Sequence, residues 1–376
     1  MTRDEVVKQN IKVDLNDGYY HIEEDLQKYP DAWCIVVTSQ RGPGKTYSSL
    51  WHTYYSGKKA LYMKRTKSDV NMLTELSNER LDVSPFYPIN RDKGTDVYAI
   101  KLQDGVGAFY DCVPETDDKG HEVWTPVGAP IVYLFALSLL KQIKGFDLSE
   151  CEYIIMDEFV PLPGEVVRHA EGEQLLGIYM TIRRDALMRG RKPPKLILLS
   201  NTDEISTPIT QELEIIDALA ELNASDDTHM YIEDRGILLH CIKEGEYKVT
   251  SQNDDGIAKA MKGTKWYAKN FGGKFASNDF SNVMKLSTRR MTPLMHIRYK
   301  THDWYMYYDF DKERYYLCER KVKCAVEYDL NFENDQKLFY IKEVLEIQNA
   351  CMFNRFKCSK YSMYDLIVNY KKYFSV

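Results

Sequence analysis

The residues with the most evident chemistry lie at 39–46, which read Ser-Gln-Arg-Gly-Pro-Gly-Lys-Thr. They follow an apolar run at 33–37, so the pattern predicts a strand, a glycine-rich turn and a helix opened by Lys45 and Thr46. Such a turn binds phosphates, because its backbone N–H groups point at the anion and the helix N-terminus adds its positive dipole end. We expect Lys45 to neutralise phosphate charge and Thr46 to ligate Mg²⁺. The predicted nucleotide-binding residues are Ser39, Gln40, Arg41, Gly42, Pro43, Gly44, Lys45 and Thr46.

Two adjacent carboxylates end a second apolar run at 153–156. Asp157 is placed to hold Mg²⁺ through water. Glu158 is placed to polarise a water molecule that attacks the terminal phosphate, a general base that a kinase does not need. The alternative is a surface turn that carries these two acids by chance, but the P-loop upstream favours a site for ATP hydrolysis.

A third apolar run, at 196–199, ends in Ser200 and Asn201. In P-loop ATPases with an additional catalytic strand, the strand after the acidic motif inserts between the two motif-bearing strands, and its polar tip faces the γ-phosphate. Asn201 therefore senses hydrolysis, or it caps the turn at 202–203.

Composition limits the class of protein. The 376 residues exceed one ordinary core, so two or more domains are expected. A hydrophobic fraction of 44% and a charged fraction of 28% describe a folded, soluble chain without a spanning segment or a signal-peptide core. The eight cysteines form no Cys-x-x-Cys pair, and we interpret them as reduced thiols of a cytoplasmic protein. The net charge of −6 argues against a uniformly basic nucleic-acid coat, but it leaves room for a basic channel.

The predicted elements place these motifs in one α/β domain. We expect helices at 45–55 and 173–188, strands at 60–63, 97–100, 131–135, 230–232 and 236–242, and an antiparallel insertion over 82–128. More than one strand thus separates the two motifs, as in additional-strand catalytic-glutamate (ASCE) ATPases and unlike kinase-like P-loop proteins. Tyr19, Tyr20 and Tyr29, before the first strand, are candidates to stack on adenine or simply to pack.

The last third of the chain has a different character. Between 259 and 275, lysines interleave with aromatic residues, which suits a nucleic-acid backbone; the alternative is one solvated face of a short linker helix. Short aromatic strands are then expected at 294–299, 304–310 and 314–318, followed by helices at 335–347 and 361–372. Three antiparallel strands followed by helices resemble half of an RNase H-like nuclease.

The expected fold class is α/β with three domains. An ASCE P-loop ATPase domain with a mainly parallel sheet occupies 1–245, and a small linker domain occupies 246–285. An α+β domain at 286–376 resembles a vestigial RNase H-like nuclease, without catalysis and used for docking.

Taken together, these motifs resemble those of the DNA-packaging (encapsidation) ATPases of small short-tailed phages, relatives of the large terminases and the FtsK/HerA translocases. The similarity is carried by five segments of this sequence: Arg41-Gly42-Pro43-Gly44-Lys45, Tyr62-Met63-Lys64-Arg65, Ile154-Ile155-Met156-Asp157-Glu158-Phe159, Leu199-Ser200-Asn201 and Arg189-Gly190-Arg191. Ser39 in place of a glycine and the pair Pro193-Pro194 depart from the family pattern. The similarity is specific in the first domain and extends to the last only as a fold pattern.

This resemblance implies an ATP- and Mg²⁺-dependent motor. It would form a homomeric ring, by analogy a homopentamer, on the portal of a procapsid in the infected cell, without a membrane. The ring would pump double-stranded DNA into the procapsid, and a packaging RNA is a further candidate partner. An arginine finger must project from a subunit edge, so Arg189 is the first candidate and Arg191 the second. Lys144 falls where the family has another trans-acting basic residue, or it is an ordinary surface lysine.

Two alternatives remain open. A large terminase would also cut DNA with carboxylates that converge on two metal ions. Candidate acids crowd one hairpin, at Asp303, Asp309, Asp311 and Glu313, but none lies cleanly mid-strand. An assembly ATPase related to filamentous-phage export proteins would carry a membrane helix, which the sequence lacks.

Overall fold

The computed structural model describes residues 1–75, 84–116, 118, 120, 122–139, 143, 145–161, 164–165, 167–250 and 256–376. The chain divides into two compact units. The first comprises Met1–Val166, Ala170–Glu204 and Leu222–Ser277, and the second comprises Val167–His169, Ile205–Glu221 and Asn278–Val376. Residues 246–285 do not form a compact unit of their own in this division. The division into three domains stays a prediction.

A nine-stranded sheet forms the first unit. Its strands are β1 (Cys34–Ser39), β2 (Lys59–Lys64), β3 (Val97–Gln103), β4 (Val106–Thr116), β5 (Glu122–Ala136), β6 (Cys151–Asp157), β7 (Lys195–Asn201), β8 (His229–Ile232) and β9 (Ile237–Cys241). The helices are α1 (Arg3–Lys8), α2 (Ile22–Lys28), α3 (Lys45–Tyr55), α4 (Lys67–Glu75), α5 (Tyr87–Lys93), α6 (Glu171–Met188), α9 (Gly256–Met261) and α10 (Lys265–Asn270). Two more helices, α7 (Pro208–Glu212) and α8 (Ile216–Ala224), lie between β7 and β8 in the sequence.

The strand order is β3-β4-β5-β2-β6-β7-β1-β9-β8. Six strands in the middle, β5-β2-β6-β7-β1-β9, are parallel to one another. The antiparallel strands β4 and β3 extend the sheet beyond β5, and β8 pairs antiparallel with β9 at the other edge. Strand β7 lies between β1 and β6, so the predicted insertion of a strand between the two motif-bearing strands is confirmed. The α/β class with a large, mainly parallel sheet is confirmed as well.

The buried parallel strands have the nearly continuous apolar sequences expected when helices cover both faces of a sheet. Every residue of β1 is buried, and so are the five central residues of β7. The predicted helix at 45–55 matches α3, and the predicted helix at 173–188 begins two residues earlier in α6. The predicted strand at 131–135 is the end of a longer strand, β5, whose first half belongs to the antiparallel insertion.

The second unit contains a five-stranded sheet, ordered β13-β10-β11-β12-β14. Its strands are β10 (Thr292–Tyr299), β11 (His302–Asp309), β12 (Arg314–Cys318), β13 (Val326–Asp329) and β14 (Phe356–Cys358). The predicted three-stranded meander is β10-β11-β12, while the two edge strands pair in parallel with it. The helices are α11 (Glu333–Phe339), a π-helical turn (Tyr340–Val344), α12 (Leu345–Met352), α13 (Tyr361–Val368) and α14 (Tyr370–Tyr373).

The helices of the second unit cover one face of this sheet. Ile297, Trp304 and Leu317 from the strands pack with Phe339 and Leu366 from the helices in one buried core. The α+β arrangement of the unit follows from this packing, but a specific likeness to a nuclease is not established by it.

Two further findings concern the chain as a whole. All eight cysteines are free thiols, as predicted, and burial raises the pKa of several, including Cys151 to about 12. Among the described residues, no helix combines the length and the apolarity needed to cross a bilayer.

Candidate functional site: a phosphate cavity at the ends of β1, β2, β6 and β7

The turn between β1 and α3 forms one wall of a cavity of about 460 Å³. Gly42 and Gly44 both have φ of 97°, a left-handed conformation that side chains with a Cβ rarely adopt. With these two residues the chain turns so that α3 begins at Lys45, and its first residues, Lys45, Thr46 and Tyr47, line the cavity. The cavity is lined by Arg41, Gly42, Pro43, Gly44, Lys45, Thr46, Tyr47, Asp157, Glu158, Ser200 and Asn201.

The amino group of Lys45 is held from three sides. It donates to the hydroxyl of Ser39, to the backbone carbonyl of Gln40 at 3.3 Å and to Asn201 Oδ1 at 3.5 Å. Burial lowers the pKa of Lys45 to about 8, against the opposing effect of Asp157. Ser39, the residue that departs from the family glycine, is thus a direct partner of the lysine beneath the loop.

The hydroxyl of Thr46 lies 3.1 Å from Asp157 Oδ1. The other carboxylate oxygen of Asp157 accepts a hydrogen bond from the Tyr62 hydroxyl at 2.6 Å and lies 3.2 Å from Lys64 Nζ. A hydroxyl next to a carboxylate is the oxygen donor set that Mg²⁺ prefers, with water completing its octahedron. The chemistry of these two residues therefore fits a hydrated Mg²⁺ ion beside bound phosphates.

Glu158 follows β6 in an unusual backbone conformation, with φ of 58°. A non-glycine residue pays a conformational penalty in this region and keeps the conformation only where surrounding contacts hold it. Arg65 supplies such contacts, because its guanidinium donates to the carbonyls of Glu158 at 3.2 Å and of Phe159 at 2.8 Å. The Phe159 N–H also donates to the carbonyl of Leu199 in β7, at 3.3 Å. The Glu158 side chain consequently lines the cavity while remaining largely exposed.

The sheet topology brings Asn201 to the same place. Asn201 is in register with Ser39 across the β1–β7 pair, and Asp157 is in register with Leu199 across the β6–β7 pair. Because the carboxyl ends of parallel strands meet at one edge, the P-loop, the two acids and Asn201 converge there. Of the predicted site residues, Ser39 and Gln40 support this cavity from below, and 41–46, Asp157, Glu158 and Asn201 line it.

Sequence reasoning assigned no role to three residues at the end of β2. Tyr62 contacts Asp157, and Lys64 contacts both acids, at 3.0 Å from Glu158 Oε2. Although burial alone would lower it, the pKa of Lys64 is raised by Tyr62, Asp157 and Glu158. Arg65 also forms a buried ion pair with Glu171, at the start of α6. The signal available in the sequence was the place of these residues at the carboxyl end of a predicted parallel strand.

The two candidate arginine fingers lie far from this cavity. Helix α6 ends at a left-handed Gly190, where the N–H of Arg191 donates to the carbonyl of Ala186 at 2.9 Å. Strand β7 starts at Lys195 and ends at Asn201, so the arginines lie at the opposite edge of the sheet, roughly 20 Å away.

There the two arginines form surface ion pairs. Arg189 contacts Asp147 at 2.8 Å, and Arg191 contacts Glu150 at 2.9 Å. Within its own chain, neither arginine reaches the phosphate cavity. Lys144 lies outside the described residues.

The acids of the nuclease alternative do not converge. Asp303 is the second residue of β11 and contacts His296 at 2.7 Å, whereas Asp309 ends the same strand and contacts Arg314 at 3.3 Å. Asp311 and Glu313 lie in the turn that follows. Among the residues that the structure describes, none of these acids belongs to a group of three or more potential metal ligands.

Two solved structures share the fold of this chain along nearly its whole length. One, the Phi-28 gp11 DNA packaging motor, superimposes with a TM-score of 0.59 at 15% sequence identity, covering 95% of this chain and 98% of that chain. The other, the bacteriophage Phi-29 viral genome packaging motor assembly, gives a TM-score of 0.58 at 15% identity, covering 95% and 100%. No protein-family model matches the sequence, and a comparison with curated proteins finds no match either.

The fold and the cavity together define a class, an α/β protein whose candidate phosphate cavity lies at the carboxyl edge of a mainly parallel sheet. Within that class, this chain has the fold of the phage DNA-packaging motors. The resemblance inferred from sequence motifs is therefore confirmed at the level of the fold.

Proposed function

We propose that this chain is an ATPase that drives double-stranded DNA into a phage procapsid during genome packaging. The observation that carries the proposal is the convergence of Lys45, Thr46, Asp157 and Glu158 on one cavity of a fold shared with two packaging motors. ATP would be the nucleotide and Mg²⁺ the metal, and the procapsid in the infected cell the place of action.

The chemistry assigned to each residue follows from the contacts. The P-loop N–H groups and Lys45 bind the β- and γ-phosphates, and Thr46 and Asp157 hold Mg²⁺ against them. Glu158 accepts a proton from the attacking water. In this conformation Glu158 Oε2 lies 3.0 Å from Lys64 Nζ. Hydrolysis therefore requires that contact to loosen, so that the carboxylate can bind the attacking water. Asn201, a partner of Lys45, is placed to respond when the γ-phosphate leaves.

Assembly into a ring is supported by the location of Arg189. A guanidinium roughly 20 Å from its own phosphate cavity acts on γ-phosphate only if that phosphate belongs to a neighbouring subunit. Exposed ion pairs such as that between Arg189 and Asp147 contribute about 1 kcal/mol or less. Replacing Asp147 by a phosphate as the partner of Arg189 therefore costs little free energy. A homopentamer on the portal, with or without a packaging RNA, is the assembly that this proposal includes.

The DNA-contacting surface in this proposal is the lysine-rich segment around α9 and α10. Lys259, Lys262, Lys265 and Lys274 are exposed, whereas Lys269 is paired with Asp203. Trp266 is 40% exposed and is available to pack against a sugar or a base. Four cations on one short segment attract a phosphate backbone in spite of the negative net charge.

A Glu158→Gln variant tests the coupling of nucleotide to DNA. The amide keeps the shape of the side chain but cannot accept the proton, so ATP should bind while turnover falls by about 10²- to 10⁴-fold. We expect this trapped state to bind a labelled DNA duplex more tightly with ATP than with ADP, as measured by fluorescence anisotropy. Lys45→Ala, which removes the phosphate contact, is the control that should show no nucleotide effect. Turnover near the wild-type rate in Glu158→Gln would reject the assignment of the general base.

A further inference from the structure

A second cavity, of about 650 Å³, adjoins the phosphate cavity within the first unit. Its walls come from the segment before α2, from α3 and from α5 of the insertion. Gly42, Gly44 and Tyr47 line both cavities, so the two adjoin at the P-loop. A ligand whose phosphates occupy the first cavity therefore has room to extend into the second.

The segment before α2 is fixed to the P-loop by its backbone. The N–H of Tyr20 donates to the carbonyl of Pro43 at 3.0 Å, and the N–H of Ile22 donates to Ser48 Oγ at 2.7 Å. Tyr20 itself is buried and hydrogen-bonds Asp25, so its ring belongs to the core. These anchors hold the preceding residue, Tyr19, in a defined place over the loop.

The ring of Tyr19 lies against Gly44 and is partly open to solvent. A Cβ built on Gly44 would lie 3.6 Å from Tyr19 Cδ1, while Tyr19 is 47% exposed. The N–H of Tyr19 donates to Asp17 Oδ1 at 2.9 Å, and the same oxygen lies 2.9 Å from His21 Nε2, which orders the turn that carries the ring. An aromatic face thus stands at the junction of the two cavities, supported from behind.

The remaining walls combine apolar and polar groups. Tyr47, Trp51 and Pro88 supply apolar surface, and Arg91 and Asp92 supply polar groups from α5. A concave site with an aromatic face and a few hydrogen-bonding groups is the usual form of a site for a small heterocycle. A base joined to a sugar fits these walls, because the base stacks on the ring and the sugar hydroxyls reach polar side chains.

We propose that this second cavity binds the nucleoside end of a nucleoside triphosphate and that Tyr19 stacks on its base. The inference rests on the proposed function of the phosphate cavity and assigns it a neighbouring site that selects a nucleotide over a bare polyphosphate. Tyr19 is accordingly a specificity residue rather than a phosphate ligand.

The test compares two ligands on the full-length chain by calorimetry with Mg²⁺ present: a non-hydrolysable ATP analogue and inorganic tripolyphosphate. Tyr19→Ala should weaken binding of the ATP analogue by roughly 5- to 150-fold, the range that base–aromatic stacking spans. The same variant should bind tripolyphosphate as the wild type does. Tyr19→Phe, which keeps the ring, should restore binding of the analogue. Tyr87→Ala is the matched control, since Tyr87 is 40% exposed on α5 and does not line the cavity.

The outcomes separate this inference from the proposed function. Unchanged affinity of Tyr19→Ala for the ATP analogue, or an equal loss for both ligands, would overturn the nucleoside site while leaving the phosphate cavity intact. A wild-type chain that binds neither ligand would instead overturn the proposed function on which the inference rests.

Discussion

Lys45 shows at the residue scale how burial prepares a binding site. Its ammonium group is surrounded by neutral partners from Ser39, Gln40 and Asn201, and burial lowers its pKa to about 8. A group with such a pKa is partly neutral in mildly alkaline solution, and a bound triphosphate would favour the charged form. Proton uptake should therefore accompany nucleotide binding above about pH 8.

This linkage can be measured by calorimetry in buffers of different ionisation enthalpy. We expect binding of a non-hydrolysable ATP analogue at about pH 9 to take up a large part of one proton, and uptake attributable to this lysine to vanish near pH 7. Lys192→Gln is the control, since Lys192 is exposed and lines neither cavity, so its loss should leave the uptake unchanged. No proton uptake by the wild type at about pH 9 would show that Lys45 is not the group that meets the phosphates.

Residue identities predicted much of the site but not its internal contacts. Glycines, a lysine and a hydroxyl at fixed spacing identify a phosphate loop because backbone geometry requires them. Lys64 and Arg65 belong to a segment that carries the family resemblance, but their contacts were not predictable, since these depend on β2 lying beside β6, a pairing across about 90 residues. Nor does a sequence indicate that Glu158 has a positive φ that Arg65 helps to hold.

At the scale of elements, α2 is fastened to β9 behind the P-loop by a buried histidine. His240 Nδ1 lies 2.9 Å from Asp25 and its Nε2 lies 3.0 Å from Glu246, so both ring nitrogens face carboxylates. Burial alone would lower the pKa of His240, but the two carboxylates outweigh it and raise the pKa to about 9. Since β9 pairs with β1 and Tyr20 hydrogen-bonds both Asp25 and the P-loop, this contact supports the phosphate site from behind.

The raised pKa predicts how stability depends on pH. Protonated His240 stabilises the folded state fully below about pH 6.5, the pKa of histidine in the unfolded chain, and this stabilisation is lost as pH rises through about 9. The difference between the two pKa values corresponds to roughly 3 kcal/mol of free energy of unfolding. The thermal midpoint of the wild type should therefore fall between about pH 7 and pH 9.5. His240→Gln should start lower and change less over that interval, whereas His302→Gln, a change in the second unit, should follow the wild type. Parallel pH profiles of wild type and His240→Gln would contradict this account.

Elements were predictable to different degrees for physical reasons. Helix α3 and the buried strands have strong local patterns, and the order of β1, β7 and β6 followed from the motifs they carry. Strand β5 was harder to predict from the sequence, because one continuous strand belongs to both the antiparallel insertion and the buried parallel sheet. Its hydrophobic pattern changes midway along the strand. Helix α5 follows a stretch without a clear period, and no local pattern indicated that it lies beside the P-loop.

At the scale of the whole molecule, the proposed function gives the arginines at the end of α6 a role only in an assembly. Arg189 and the phosphate cavity lie at opposite edges of one sheet, so one chain does not contain a complete site under the proposed function. The sequence suggested these arginines by family resemblance, but their distance from the cavity comes from the topology.

Mixed assemblies test this trans arrangement. Arg189→Ala should bind ATP nearly normally yet lose about 10³- to 10⁵-fold in DNA-stimulated hydrolysis, the usual contribution of an arginine finger. Mixing it with Glu158→Gln subunits should restore part of the activity, because some interfaces then combine an intact Glu158 with an intact Arg189. Arg184→Ala, which changes another exposed arginine of α6, is the matched control and should retain activity. Rings that form but recover no activity at any mixing ratio would place the role of Arg189 elsewhere.

The most direct measurement is the rate of ATP hydrolysis by the purified chain with and without double-stranded DNA. A motor that couples hydrolysis to DNA movement should turn over slowly alone and faster with duplex, with salt suppressing the stimulation because the contacts are to phosphates. Lys45→Ala should abolish both rates. The account predicts duplex-stimulated hydrolysis that depends on Lys45; a hydrolysis rate indifferent to duplex DNA at low salt, or one that survives Lys45→Ala, would contradict it.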